Sequence, residues 1–241
     1  NTIAHIPGVE LPNEYVVFSA HFDSWDAASG ATDNGTGTLV MLEAMRILRE
    51  AYPNPRRTIL VGHWGGEEQG LNGSRAYAAD NPEVVRNLQA LFNQDNGTGR
   101  IVNVSSQGYI GASGYLASWL SGLPVELTDE IAFDFPGTPG GGGSDYASFV
   151  CYGAPAFSLR ALNWSYSPYT WHTNRDTFDK VVFADLKNNA TLYAMLAYMA
   201  SEEEARTPRD RRTEFPINPA TGQEGAWPEC QPSRRDWSQR R

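Results

Sequence analysis

No stretch of this chain approaches the roughly 20 consecutive apolar residues that a membrane helix needs, and no basic-then-apolar segment opens it as a signal peptide would. Cysteine is scarce. Cys151 and Cys230 are the two present, which excludes a disulfide-dense scaffold and a thiolate zinc finger. One disulfide between them and two free thiols both stay open. No HExxH, no GxSxG and no glycine-rich loop ending in GK[ST] occurs, so several other protease and nucleotide-binding chemistries lack their sequence signatures. Basic residues are thin over most of the chain: residues 1–204 hold 11 Lys/Arg against 23 Asp/Glu, a net charge of −12, whereas 205–241 hold 8 Arg against 5 acids, a net +3. A domain this acidic is a poor partner for phosphate backbones and a reasonable one for cations.

The 241 residues, 41% of them hydrophobic, suffice for one domain with a sizeable core. Short apolar, β-favouring runs at Tyr15–Ala20, Thr58–Trp64 and Leu88–Asn93, and a weaker one at Ala156–Leu159, read as buried strands. Thr38–Glu50 carries Val40, Met41, Ala44, Met45, Ile47 and Leu48 at helical spacing, and Asp185 is placed to cap a helix facing inward through Leu186, Ala190, Tyr193, Ala197 and Ala200. Strands alternating with helices predict an α/β fold, a three-layer αβα sandwich with a central mixed, largely parallel sheet. From Arg206 on, prolines and arginines replace the pattern. The expected division is a catalytic domain over 1–204 and an Arg/Pro-rich tail over 205–241, wrapped on the domain through Trp227 or Trp237 or left mobile. Gly137–Gly143 reads as a flexible loop.

Ligands of open α/β sheets bind beyond the carboxyl ends of the strands. The first strand is followed there by His21, Asp23 and Asp33, the second by Glu67 and Glu68, the third by Asp95. Such a convergence of carboxylates is costly unless cations neutralise it. Imidazole with carboxylate suits Zn2+, with Mn2+ or Co2+ as substitutes. Two metals, each with one histidine and one terminal carboxylate and sharing a third carboxylate, need two His and three acids. His21, His172, Asp33, Glu68 and Asp95 fill that set and leave Glu67 beside it as a general base. Asp23 and Asp176 are expected to accept the second ring N–H of His21 and His172. Asp145 is expected to cap a helix over Ser144–Cys151, and His63 to pack in the core. Tyr166, Tyr169 and Trp171 are weaker candidates for the pocket wall, and Arg160 and Arg175 for holding a substrate carboxylate.

The motifs AHFDSWD (Ala20–Asp26), GATDNGTGTLVMLEAMRIL (Gly30–Leu48), EEQGLNGSRAY (Glu67–Tyr77), QDNG (Gln94–Gly97), SDYASF (Ser144–Phe149) and HTNRDTFD (His172–Asp179) resemble, in order, those of the M28 family of di-zinc exopeptidases, and HFDSWD resembles its carboxypeptidase Q branch. The resemblance covers roughly 15–200. It implies two Zn2+ per chain bridged by Asp33, with Glu68 and His172 on one ion and His21 and Asp95 on the other, Glu67 as general base and acid, and a cis peptide at Asp33–Asn34. It further implies hydrolysis of terminal peptide bonds of short peptides or dipeptides, export to a secreted or periplasmic location, and a homodimer as one assembly. The chain departs from the pattern at Tyr146, where many relatives carry histidine, and lacks the family's usual segment before the first strand. A single-zinc glutaminyl-cyclase-like acyltransferase and a catalytically inactive binding module are the competing expectations, separated by metal content.

Overall fold

The apolar run at Tyr15–Ala20 lies inside a longer strand, Leu11–His21, buried from Val16 to its end. Burial on both faces is what a parallel strand covered by helices requires. The computed structural model, which describes residues 1–217, 220 and 222–234, makes it the second of seven strands. These are β1 Thr2–Ile6, β2 Leu11–His21, β3 Arg57–Trp64, β4 Leu88–Gln94, β5 Ile101–Ser105, β6 Ala132–Asp134 and β7 Ala156–Ala161. Their spatial order is β1-β3-β2-β4-β7-β5-β6. β3, β2, β4 and β7 run parallel, as do β5 and β6; β1 is antiparallel to β3 and β5 to β7. The sheet is mixed and largely parallel, as expected. β1, β5 and β6 carry no long apolar run: four of the five β1 residues are exposed, and β6 is three residues long with none buried. That is why the hydrophobic pattern does not announce them.

The helices are α1 Thr36–Ala51, α2 Asn72–Asp80, α3 Pro82–Arg86, α4 Gly111–Ser121, α5 Val125–Thr128, α6 Ala147–Val150 and α7 Phe183–Glu202. α1 buries Val40, Met41, Ala44 and Leu48 and ends at Tyr52, because Pro53 disfavours a helical residue before it. α1 and α7 pack together on one face of the sheet, with α4 against α7. On that face Phe18 meets Tyr193 of α7 edge-on. The other face is set by Trp64, whose ring packs on Tyr77 of α2 and Phe149 of α6 and whose Nε1 donates to Ser19 Oγ at 2.9 Å. Gly62 stands two residues earlier on the same face. A Cβ there would lie 2.2 Å from the indole, so the large ring requires the missing side chain.

Two capping expectations fail. Asp185 lies inside α7, whose first turn begins after Val182, and its carboxylate accepts a hydrogen bond from Trp164 Nε1 at 2.9 Å instead. Phe183, the first helical residue, meets Phe178 edge-on just before the helix. Asp145 precedes a helix that has no side-chain cap. It turns inward, 0% exposed, and neither of its oxygens makes a hydrogen bond.

The tail lies against the domain. Thr207 N–H donates to Gln89 Oε1, and Arg209 donates to the carbonyls of Val85 and Arg86. Trp227 donates to the Val150 carbonyl, meets Tyr109 edge-on and carries Arg211 over its ring. Cys230 is bonded to Cys151, 79 residues away, which closes the question left open by the sequence. The alternative anchor, Trp237, lies outside the described residues.

Candidate metal centre

The chain leaves β2 on one side to make β3, then crosses to the other side for β4. The loops therefore part above the carboxyl end of β2, which is where ligands settle in such sheets. His21 closes β2, Glu67 and Glu68 follow β3, and Asp95 follows β4. Asp33 comes from the turn before α1. That turn includes the cis Asp33–Asn34 peptide, and Asn34 fastens it to β4 by donating to the Gln94 carbonyl at 2.8 Å. His172 arrives from the loop after β7, stacked beside Trp171 and Trp25.

These side chains converge on Asp33. His21 Nε2 lies 3.2 Å from Asp33 Oδ1 and 3.0 Å from Asp95 Oδ1. His172 Nε2 lies 3.5 Å from Asp33 Oδ2 and 3.0 Å from Glu68 Oε2. His21, Asp33 and Asp95 each bring a ligand atom within 4.8 Å of the others, and so do Asp33, Glu68 and His172. Ligands held at zinc by bonds of ~2.0–2.2 Å in a tetrahedron stand about 3.3–3.6 Å apart, close to these separations. Asp33 Oδ2 and Glu68 Oε1 are buried without a hydrogen-bond partner, the kind of orphaned acceptor that a cation satisfies. His21 Nδ1 meets the main-chain carbonyl of Asp23 at 2.9 Å. A carbonyl only accepts, so Nδ1 carries the proton and Nε2 faces the acids. The donor set fits divalent cations. Glu67 also comes within 4.8 Å of His21 and Glu68 but belongs to neither group that contains Asp33.

Electrostatics point the same way. Burial, Asp95 and Asp145 push Glu67 up to about 9, and burial and Asp33 push Glu68 up to about 7. Burial raises Asp33 as well. Burial alone would lower His21, but its hydrogen bonds to Asp33 and Asp95 outweigh that and hold it at about 12. Protons thus occupy the positions that positive charge would take.

The structure revises the expected supporting roles. The Asp23 carboxylate stands 3.8 Å from His21 Nδ1; its oxygens instead accept the backbone N–H groups of Glu67 and Glu68, at 3.1 and 3.2 Å. Asp176 makes no hydrogen bond to His172. Its Oδ1 accepts from Thr32 N and Oγ1, at 2.6 and 2.8 Å, and its Oδ2 from Asp33 N at 2.9 Å. Each acid braces the turn that carries another residue's ligand, because free N–H groups of a turn need acceptors and a carboxylate offers two oxygens. Spacing along the sequence pairs each acid with its near histidine and misses this. It also missed Trp25, whose Nε1 donates to Glu68 Oε2 at 2.6 Å; its one signal was its place inside HFDSWD.

The acids open into a cavity of ≈ 510 Å³ whose lining includes Tyr166, Trp171, His172, Leu71, Arg75 and Gly142–Gly143. Tyr169 lines a neighbouring cavity instead, and its ring carries Arg175. Arg160 is exposed on β7 and lines neither cavity. Tyr146 packs beneath the glycine loop, where a Cβ on Gly140 would meet its hydroxyl at 2.4 Å. His63 is a buried core residue with no hydrogen-bond partner.

The model of peptidase family M28 matches residues 1–197. Carboxypeptidase Q of Rattus norvegicus is 29% identical over 210 residues, 87% of this chain and 43% of that protein. Leucine aminopeptidase 1 of Coccidioides posadasii (strain C735) is 30% identical over 213 residues, 81% of this chain and 54% of that protein. The chain therefore spans about half or less of the curated relatives it matches. The crystal structure of a peptidase M28 precursor from Shewanella amazonensis SB2B superposes with a TM-score of 0.77 at 28% identity, covering 87% of this chain and 46% of that one. A family match that runs from the first strand into the last helix encloses every residue gathered around Asp33, and the chain belongs to peptidase family M28.

Proposed function

We propose that this chain carries the catalytic centre of a co-catalytic di-zinc exopeptidase that hydrolyses terminal peptide bonds of short peptides or dipeptides. The observation that carries the reading is the shared carboxylate: Asp33 turns one oxygen to the His21–Asp95 group and the other to the Glu68–His172 group. His21, Asp95 and Asp33 would hold one ion, and Asp33, Glu68 and His172 the other. Such a pair, when bound, polarises the scissile carbonyl and lowers the pKa of an attacking water towards ~7.

Glu67 takes the proton of that water and returns it to the leaving amine. Its raised affinity for a proton suits the second task, and nearby cations would draw that affinity down towards the working range. Asp23 holds Glu67 in place through its backbone N–H. Tyr166 and Trp171 wall the cavity and exclude water beside the reacting bond. The Cys151–Cys230 bond suits an oxidising compartment, and with it the reading of a secreted or periplasmic enzyme.

Glu67→Gln tests the assignment. The variant should bind about two zinc ions per chain and lose about 10²–10⁴ in kcat. Near-normal hydrolysis would remove Glu67 from its role. One ion per chain in the unaltered protein would favour the glutaminyl-cyclase reading, and none the binding module.

A further inference from the structure

One cation in the acidic cavity has no task in the chemistry above. Arg75 lies in α2, seven residues beyond Glu68, and among the described residues it is the one lysine or arginine lining the cavity with Asp33, Glu67, Glu68 and Asp95. It is half-buried, and among the described residues its guanidinium makes no hydrogen bond and no ion pair. It lies across Gly70, where a Cβ would stand 3.9 Å from Arg75 Nη1. The charge is thus held beside the chain only two residues past Glu68.

The backbone of a second arginine is fastened to the same helix. The backbone N–H of Arg234 donates to Asn72 Oδ1 at 2.9 Å, four residues after the disulfide at Cys230. The Arg234 charge is close enough to lower the pKa of Arg75, adding to burial, while the Asp145 carboxylate opposes both. Neither carboxylate oxygen of Asp145 has a hydrogen-bond partner, so neither arginine is bonded to it. Arg75 thus brings to this cavity a guanidinium that no acid among the described residues engages, free to meet a ligand's negative charge. A guanidinium presents two parallel N–H donors that match one carboxylate.

We infer that Arg75 binds the C-terminal carboxylate of a peptide whose scissile bond lies over Asp33 and Glu67. This rests on the peptidase reading and sharpens it: the substrate ends in a free carboxylate one residue beyond the cleaved bond, so the site acts as a carboxypeptidase or dipeptidase. The arginines that the sequence offered for this task, Arg160 and Arg175, lie away from the cavity; the structure transfers the role to Arg75.

The test uses the zinc-loaded full chain and three probes: Ala-Ala, its C-terminal amide, and Ala-Glu amide, whose only carboxylate is on the side chain. The unaltered protein should cleave Ala-Ala about 10- to 100-fold better in kcat/KM than the amide, the range expected for one charge-assisted contact. Arg75→Gln should bring that ratio towards one, mostly through KM, and Arg75→Lys should keep part of it. Arg160→Gln should leave the ratio as it is. Titrating Glu67→Gln with Ala-Ala and with its amide should give the same preference as a ratio of Kd values. A ratio near one in the unaltered protein, or an equal loss on both probes in Arg75→Gln, overturns the inference. Ala-Glu amide matching Ala-Ala overturns it in favour of side-chain recognition. Chelator-sensitive cleavage of the amide without any carboxylate preference sinks only the inference. Failure to cleave any of the three sinks the peptidase reading itself.

Discussion

Asp176→Asn is the sharpest probe of how this fold positions the side chains proposed to hold metal. Asp176 is 3% exposed and its carboxylate accepts three hydrogen bonds, two from Thr32 and one from the backbone N–H of Asp33. The substitution keeps the shape and replaces one acceptor oxygen with an NH2 donor. Whichever way the amide turns, one backbone donor of the Thr32–Asp33 segment faces another donor. Losing a hydrogen bond to a charged group and leaving its buried partner unpaired costs about 1.5–3 kcal/mol. The same segment aims both oxygens of Asp33, so the cost falls on metal binding as well as on folding. A bracing residue of this kind is typically worth ~10- to 100-fold in metal affinity, equivalent to about 1.4–2.7 kcal/mol, which agrees with the hydrogen-bond estimate. Two assays read it: competition with a fluorescent chelator for zinc affinity, and urea unfolding of the metal-free chain for stability. A variant that binds zinc as tightly as the unaltered protein while losing stability would show that Asp176 supports the loop but does not position Asp33. No change in either would refute the bracing altogether.

The remaining predictions concern protons and the tail. Asp145, Glu68 and Glu67 are raised by burial and neighbouring acids to about 7, 7 and 9. A carboxyl group that holds its proton more tightly folded than unfolded gives stability below its unfolded pKa of about 4, lost as pH rises through the folded value. His21, held at about 12, acts in the same direction above its unfolded value of ~6.5. In chelator, urea unfolding should therefore find the chain more stable at pH 5 than at pH 8; the opposite order would refute the protonated cluster. Zinc affinity should rise over the same interval, because the ligands must shed protons to bind, and a flat profile by chelator competition would contradict it. Cys230→Ser opens a disulfide that spans 79 residues and should lower stability to urea by about 2–4 kcal/mol, as should reductant on the unaltered protein; a loss well under 1 kcal/mol would mean that Trp227 and Arg209 hold the tail without it.

What the sequence determined by itself was the framework: four parallel strands, two long helices and the residue types delivered beyond the strand ends. Those features are local. Val16–Ala20 and Arg57–Trp64 are buried along their length, and that burial shows in the sequence as the apolar cores Val16–Phe18 and Ile59–Val61. His21 at the end of β2 and Asp95 one step past β4 were legible for the same reason, since the strand fixes their place in space, whereas Asp33 and His172 come from loops whose course the sequence pattern does not show. Tertiary structure decided what two distant segments do to each other. Asp23 and Asp176 exchange their expected histidines for backbone N–H groups of other turns. Cys151 finds Cys230 across 79 residues, and Arg75 enters the cavity while Arg160 stays outside it. A backbone donor or a cavity wall has no side-chain identity to read along the chain, and it exists only once the loops above β2 have been brought together.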